Sequence, residues 1–218
     1  MNRTVPRAAL DVSLYLVLDP DMCGGVAGMV RVTEAAIAGG VTVVQLRAIG
    51  WRKRAFWDAA CALKPLCQSR QVPLIINDHV DVALAVDADG VHVGQQDLPA
   101  KEVRRLLGET KIVGVSVSNA QQWRDIEPGV ADYIGLGPVE LTATKPEAGP
   151  ALGIDGLRAL LAMKKEIPLS VVAIGSINAH NARAVMETGV DGIAVVSAIC
   201  ASEAPEEAAR ALSEVIGS

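Results

Sequence analysis

Residues 133–145 read Tyr-Ile-Gly-Leu-Gly-Pro-Val-Glu-Leu-Thr-Ala-Thr-Lys. The apolar part of this segment predicts a buried parallel strand over residues 132–136, which ends at Gly137-Pro138 because proline cannot extend a central strand. The loop that follows contains two hydroxyls and one cation, Thr142, Thr144 and Lys145. Hydroxyls, backbone amides and a lysine in one loop suit a phosphate or pyrophosphate, although a T-x-T-K pattern alone also fits an ordinary surface loop.

The rest of the chain alternates between strand and helix. Apolar runs predict strands over residues 13–18, 41–46, 73–76, 89–93, 111–117, 132–136, 169–174 and 192–196. Helical spacing predicts helices over residues 26–38, 51–69, 79–86, 99–107, 120–126, 154–165, 178–188 and 206–216. This order predicts an α/β fold, the (β/α)8 TIM barrel, because strands that are apolar throughout are typical of parallel sheets covered on both faces.

The chain is expected to form one domain. Its 218 residues are 50% hydrophobic, which suits a single large core. We predict one barrel over residues 1–218, with residues 1–12 as a short N-terminal extension. An open doubly wound sheet is the alternative, but no Gly-x-Gly-x-x-Gly follows the first strand.

Charge and cysteine content restrict the classes of function. The formal net charge is −5, so we expect no nucleic-acid or membrane partner, and local cations must hold any anionic ligand. The four cysteines form no Cys-x-x-Cys pair, and we expect buried reduced thiols in a cytoplasmic protein. The sequence near the start has no long apolar run, so we expect neither a signal peptide nor a membrane span there. The sequence leaves open whether the chain is a homo-oligomer.

Polar residues follow the predicted strands, at the end where barrels of this type carry their function. The residues at this rim are Gln45, Arg47, Asn77, Asp78, Asp97, Ser116, Ser176, Val196 and Ser197, with Thr142, Thr144 and Lys145 in the loop after strand six. The opposite loops contain turn residues such as Gly39-Gly40 and Gly108-Glu109. This asymmetry predicts an enzyme site at the rim.

Three features of the rim point to phosphate and metal chemistry. Asp78 and Asp97 suit Mg²⁺, which accepts few carboxylates and shares its other ligands with substrate phosphates. Arg47 suits a bidentate phosphate contact. Ser176 and Ser197 follow strands seven and eight, the usual phosphate site of this fold.

Simpler roles are open for the same residues. Asp78 and Asp97 could cap the helices that follow them, and Arg47 could form an ordinary rim ion pair. His92 lies inside an apolar strand, which favours a hydrogen-bonded core histidine over a catalyst. We expect His79 on a helix surface.

Several motifs extend these observations over nearly the whole chain. They are Val44-Gln45-Leu46-Arg47, Ile76-Asn77-Asp78, DGVHVGQQDLP at 89–99, Gly114-Val115-Ser116, Gly135-Leu136-Gly137-Pro138-Val139 with Thr142-Ala143-Thr144-Lys145-Pro146, Ala173-Ile174-Gly175, and DGIAVVSAI at 191–199. Each motif is short, but in this order the set resembles the thiamine phosphate synthase family.

The resemblance implies a reaction. In this family 4-amino-2-methyl-5-hydroxymethylpyrimidine diphosphate condenses with thiazole phosphate to give thiamine phosphate and pyrophosphate, and Mg²⁺ assists the departing diphosphate. Such a dissociative displacement needs charge stabilisation on the leaving oxygens and a well-placed thiazole nitrogen, but no protein nucleophile.

The resemblance also implies roles for individual residues. It implies a pyrimidine-diphosphate site formed by Gln45, Arg47, Asn77, Ser116 and Lys145. It implies Mg²⁺ ligands, Asp78 and Asp97. It implies a thiazole-phosphate site formed by Thr142, Thr144, Val196 and Ser197, with the turn at Ser176 beside it. The predicted catalytic residues are Arg47, Ser116 and Lys145.

The chain departs from the family pattern at several positions. Ile49 replaces a lysine, Ser176 replaces a glycine and Glu140 replaces an aromatic residue. We expect a cation within residues 52–54 to substitute for the missing lysine. We expect Ser176 to keep a right-handed or extended backbone and to direct its hydroxyl at the phosphate.

Two other functions fit parts of this pattern. A thiazole tautomerase-like relative would need the phosphate loops but neither the carboxylate pair nor a diphosphate site. A non-catalytic binder of thiazole phosphate would tolerate both Ile49 and Ser176. Retention of Gln45, Arg47, Asn77, Asp78, Asp97 and Lys145 favours the synthase over the tautomerase-like relative. Turnover with both substrates and Mg²⁺ separates all three functions.

Overall fold

The computed structural model describes residues 10–141 and 149–217, and these contain a closed barrel of eight parallel strands in chain order. The strands are β1 Leu14–Leu18, β2 Val43–Leu46, β3 Leu74–Asn77, β4 Gly90–Val93, β5 Ile112–Val117, β6 Tyr133–Leu136, β7 Ser170–Ile174 and β8 Gly192–Val195. The barrel closes where Tyr15 of β1 lies opposite Ala194 of β8. The predicted (β/α)8 TIM barrel is therefore confirmed.

Helices surround the barrel. They are α1 Pro20–Cys23, α2 Gly25–Ala38, α3 Lys53–Ser69, α4 Val80–Ala85, α5 Ala100–Leu107, α6 Ala120–Arg124, α7 Gly153–Leu161, α8 Ala182–Met186, α9 Ser197–Cys200 and α10 Pro205–Ile216, and a 3₁₀ turn at Ala162–Lys165 continues α7. The sequence did not predict α1 and α9, because four residues are too few to show a helical period. Within the described ranges, none of the helices has the length and hydropathy to cross a bilayer.

Side chains alternate between two cores. The outer core lies between strands and helices and includes Leu16, Val44 and Ile76. The inner core fills the barrel interior, with Tyr15, Val43, Ile75, Tyr133, Val172 and Ala194. Because successive strand residues point to opposite faces, the position two residues after each of these six points to the same interior, nearer the strand's carboxyl end. Val12, within the predicted extension, is also buried in the inner core.

A repeated contact ties the strands at their amino ends. The residue before β4, β6 and β8 is Asp89, Asp132 and Asp191 respectively. Each carboxylate accepts a hydrogen bond from a backbone amide of the preceding strand, at 2.9, 2.8 and 2.6 Å. Thr42, before β2, does the same for the amide of Leu14. These aspartates therefore stabilise the face opposite the polar rim.

The most buried of these contacts involves Arg104 of α5. Its side chain is 7% exposed and pairs with Asp132 at 2.6 Å. The guanidinium also donates to three backbone carbonyl oxygens, those of Gly108, Lys111 and Val130. Arg104 therefore donates to four acceptors in the loops that precede β5 and β6.

The cysteines follow the prediction with one exception. Cys23, Cys67 and Cys200 are buried free thiols. Cys61 is exposed on α3, so the prediction that all four are buried is wrong for this residue.

Candidate active site

A cavity of about 620 Å³ lies at the carboxyl ends of the strands, and residues on or just after all eight strands line it. Nine predicted site residues contribute to its lining: Gln45, Arg47, Asn77, Asp78, Asp97, Ser116, Ser176, Val196 and Ser197. The other three, Thr142, Thr144 and Lys145, lie outside the described residues. Nine of the twelve predicted positions therefore surround one space.

Strand alternation explains how these side chains reach the cavity. Gln45 is two residues after the interior position Val43, and it is only 5% exposed. Arg47 follows at the next interior step, where the strand has ended, and it is half-buried at the cavity wall. On β5, Ser116 is likewise an interior position near the carboxyl end of its strand.

Asp78 and Asp97 do not cap the helices that follow them. The N-cap residues of α4 and α5 are His79 and Pro99, and neither provides a side-chain cap. The Asp78 carboxylate accepts a hydrogen bond from the Asn77 amide nitrogen at 2.5 Å, and Asp97 accepts one from the Gly94 backbone at 2.8 Å. Both carboxylates are thereby oriented by their own turns at the cavity wall.

The donor set at this wall suits a metal that shares its ligands. Throughout residues 10–141 and 149–217, no cluster of three or more His, Cys, Asp or Glu side chains could hold a metal by itself. Two carboxylates at the cavity wall would fit Mg²⁺ if a phosphate group were bound in the cavity, since this ion binds proteins through one or two carboxylates and takes its other ligands from water and phosphates.

A chain of hydrogen bonds crosses the barrel interior below the rim. The Gln45 amide nitrogen donates to the Tyr15 hydroxyl at 2.9 Å, and the Tyr15 and Tyr133 hydroxyls are 2.6 Å apart. His92 Nδ1 lies 3.0 Å from the Tyr133 hydroxyl, and His92 Nε2 lies 2.9 Å from Ser116 Oγ. We call these five residues the interior relay. The hydrogen bonds confirm the interpretation of His92 as a satisfied core histidine, and the structure adds that His92 lines the cavity.

Burial controls the protonation of the two tyrosines. Both rings are almost completely inaccessible. Desolvation raises the pKa of Tyr15 and of Tyr133 far above the usual value for a phenol. Each hydroxyl therefore keeps one proton, and so each donates one hydrogen bond.

Sequence reasoning missed several cavity residues. The apolar pattern assigns Tyr15 and Tyr133 to strands and gives them no other role, although a buried tyrosine hydroxyl in an apolar strand needs a polar partner. His79 was expected on a helix surface, and this is wrong: it lines the cavity, and its ring packs edge-on against Phe56 at a centroid distance of 4.7 Å. Gln95 also lines the cavity and donates to the backbone oxygen of Ser116 at 2.7 Å.

Ser176 differs from the expectation. Its φ of 52° is left-handed, not right-handed or extended. Its hydroxyl donates to the Leu141 carbonyl oxygen at 2.7 Å. The Asn181 amide nitrogen contacts both the Ser176 carbonyl at 3.1 Å and the Glu140 carboxylate at 3.2 Å. Ser176 and Glu140 therefore join the turn after β7 to the start of the loop after β6.

We expect Ser176→Ala to lower the melting temperature more than Ser176→Gly. Both substitutions remove the hydrogen bond to Leu141, worth about 0.5–1.5 kcal/mol. Only glycine also relieves the left-handed backbone, which costs other residues about 1–2 kcal/mol. The glycine variant should therefore unfold within a few degrees of the wild type, and the alanine variant below it. Equal melting temperatures for the two variants would contradict this assignment.

The cations expected to substitute for a lysine at position 49 face other partners. Lys53 forms an ion pair with Asp81. Arg54 binds Asp58 at 3.0 Å and lies over the Trp57 ring. Ile49 itself lines the cavity and is 64% exposed. Arg52 makes neither of these contacts and is the remaining candidate for compensation, although none of residues 52–54 lines the cavity.

Comparisons with known proteins show the family and the fold of this chain. The family profile described as thiamine monophosphate synthase matches residues 14–199. A thiamine-phosphate synthase of Laribacter hongkongensis is 54% identical over 94% of this chain and 96% of its own length. One from Desulfitobacterium hafniense is 46% identical over 95% and 98%. Among solved structures, a thiamine phosphate pyrophosphorylase from Pyrococcus furiosus superposes with a TM-score of 0.85 at 33% identity, covering 96% of this chain and 97% of that one.

Proposed function

The chain belongs to the thiamine monophosphate synthase family, and from this membership we propose that it joins 4-amino-2-methyl-5-hydroxymethylpyrimidine diphosphate to a thiazole phosphate, releasing pyrophosphate. It is an enzyme and a transferase of thiamine biosynthesis. The observation that carries the finer proposal is the cavity, since nine residues expected to bind the two substrates and the metal surround one space.

The reaction breaks one bond and makes another. The bond between the pyrimidine methylene carbon and the diphosphate oxygen breaks, and its electron pair leaves with the oxygen. The thiazole nitrogen then donates its lone pair to the methylene carbon. The aminopyrimidine ring can stabilise positive charge on that carbon, so the protein mainly has to stabilise the leaving group and align the nitrogen.

The residues at the wall match these tasks. Arg47 presents a planar guanidinium that can donate two hydrogen bonds to the departing diphosphate. Ser116 supplies a hydroxyl on the adjacent interior surface. Asp78 and Asp97 would hold Mg²⁺, and when bound this ion would neutralise charge that develops on the diphosphate. Ser197, after β8, lies where barrels of this type commonly bind phosphate. Lys145 and the two threonines are proposed for the same two phosphates on the family resemblance alone.

Turnover with both substrates tests the proposal. The purified protein should form thiamine phosphate and pyrophosphate when both substrates and Mg²⁺ are present, and neither product when one substrate is omitted. Conversion of thiazole phosphate alone would instead indicate a tautomerase. Binding of thiazole phosphate without any product would indicate a non-catalytic binder, and either result would refute the synthase assignment.

We expect Ile49→Lys to raise kcat/KM for the pyrimidine diphosphate. A hydrogen bond between charged groups contributes about 1.5–3 kcal/mol, and position 49 lines the cavity where such a group would meet the diphosphate. We also expect Arg52→Ala to lower kcat/KM in the wild type but to have less effect in the Ile49→Lys background. Arg54→Ala is the matched control. If none of these changes affects the kinetics, no cation is needed at this position.

A further inference from the structure

The interior relay has a fixed direction. The Gln45 amide nitrogen can only donate, so Tyr15 accepts from it. The buried Tyr15 proton then finds its acceptor in the Tyr133 hydroxyl, 2.6 Å away. Tyr133 then gives its own proton to His92 Nδ1, which must be unprotonated to accept it. A neutral imidazole carries its proton on the other nitrogen, so Nε2 donates to Ser116 Oγ.

The end of this chain is the Ser116 hydroxyl. Its oxygen accepts from His92, so its own proton cannot return to that ring and is available to a group in the cavity. Gln45 lines the same cavity, with its amide nitrogen committed to Tyr15 and its amide oxygen left as an acceptor. The relay therefore presents an acceptor at one end and a donor at the other.

The barrel is shaped to hold this chain. A Cβ added at Gly114 would lie 2.2 Å from the Tyr133 ring and 2.5 Å from His92 Nδ1. A Cβ at Gly135 would lie 3.0 Å from His92 Cε1. Glycine at both positions leaves the space in which the histidine and the tyrosine meet, and a larger residue at position 114 would displace them.

We propose that His92, held in one tautomer by Tyr133, Tyr15 and Gln45, is a positioning residue that makes Ser116 a hydrogen-bond donor to the departing diphosphate. The identity of that acceptor rests on the proposed function, whereas the direction of the relay rests on the orientation of the Gln45 amide and on one proton at each tyrosine hydroxyl. His92 does not touch the reacting atoms in this scheme and acts only through Ser116.

The tautomer can be measured directly. The chain contains three histidines, so ¹⁵N-histidine NMR resolves few signals, and His79 and His180 serve as internal references. We expect His92 to show a protonated Nε2 and an unprotonated Nδ1 at neutral pH. Tyr133→Phe removes the donor to Nδ1, and it should shift that nitrogen without moving the His180 signals. A protonated Nδ1 in the wild type, or no response to Tyr133→Phe, would overturn the proposed direction.

Kinetics separate positioning from simple packing. A hydrogen bond to a charged group is equivalent to about 10–150-fold in rate, so we expect His92→Leu to lower kcat/KM for the pyrimidine diphosphate within this range. His92→Gln keeps an amide donor near the Nε2 position and should recover most of the activity. In a Ser116→Ala background, His92→Leu should cause less than about a further twofold loss, since the effect passes through Ser116.

The NMR experiment and the kinetic experiment would be contradicted by different results. Equal losses from His92→Leu with and without Ser116 would show that His92 matters only for packing. If the wild type does not turn over the pyrimidine diphosphate at all, the proposed function fails, and the NMR experiment still decides whether the relay exists. If His92→Leu does not fold, the wild-type tautomer and His92→Gln remain measurable.

Discussion

Arg104→Met is expected to lower the free energy of unfolding by about 3–5 kcal/mol. The substitution keeps an apolar stem of similar length but removes the partner of a buried carboxylate, Asp132, and the donor to three backbone carbonyls. A mostly buried charge that loses its ion-pair partner is costly because the surrounding loops and helix cannot replace the lost hydration. For a chain of this size the loss corresponds to a melting temperature lower by about 6–20 °C.

Arg105→Met is the matched control. Arg105 is the next residue on the same helix, but its side chain is 69% exposed and pairs only at the surface with Glu102. Exposed ion pairs contribute little, so this variant should stay within about 0.5 kcal/mol of the wild type. Thermal or urea unfolding of the two variants gives the comparison. Similar losses from both, or a loss under about 1 kcal/mol for Arg104→Met, would show that the buried network contributes no special stability.

The fold could be predicted from the sequence because the same pattern of strand and helix is repeated along the chain. Each strand is an apolar run and most are followed by a helical period, so an error of one or two residues at an end leaves the order intact. The ends themselves were less predictable. The helix predicted over residues 178–188 is only Ala182–Met186, because Asn178 and Asn181 instead form side-chain contacts within the turn.

Part of the cavity lining could also be predicted from the sequence, for a different reason. Parallel strands in a closed barrel bring their carboxyl ends together, so polar residues at those ends must meet whatever their separation in the chain. This reasoning finds Gln45 and Ser116. It cannot find the hydrogen bonds that join them, since those depend on which side chains of β1, β4 and β6 face each other across the interior.

The backbone of Ser176 shows the same limit. Whether a serine takes the left-handed conformation depends on what its hydroxyl can reach. Here the acceptor is the Leu141 carbonyl, which is 35 residues away in the chain and arrives only through the β6–β7 pairing. Local preference predicted a right-handed or extended turn, and a tertiary contact overrode it.

Asp78→Asn and Asp97→Asn are each expected to lower kcat/KM by at least about 100-fold, since loss of an indirect metal contact alone costs about 10–100-fold. Asparagine keeps the shape and one acceptor oxygen of each side chain, so the hydrogen bonds from Asn77 and Gly94 can persist. The variants therefore remove negative charge with little change in packing. EDTA should abolish turnover of the wild type, and added Mg²⁺ should restore it.

The control is Asp81→Asn. Asp81 is close in sequence to Asp78, but it lies on α4, pairs with Lys53 and does not line the cavity. The Lys53 ammonium lowers the pKa of the Asp81 carboxyl, so its charge contributes a little stability that is present above the unfolded-state pKa and is lost as the pH falls through the folded pKa. At neutral pH the substitution should therefore slightly lower the melting temperature and leave kcat unchanged.

Binding measurements separate a metal role from a general loss of charge. Titration calorimetry with Mg²⁺ in the presence and absence of pyrophosphate should show tight metal binding only when pyrophosphate is present, because two carboxylates leave most ligand positions to the phosphate and water. Both aspartate variants should lose this cooperative binding, and Asp81→Asn should retain it. Full turnover in EDTA together with full activity of both variants would refute the metal assignment and leave Arg47 as the principal described group that stabilises the leaving diphosphate.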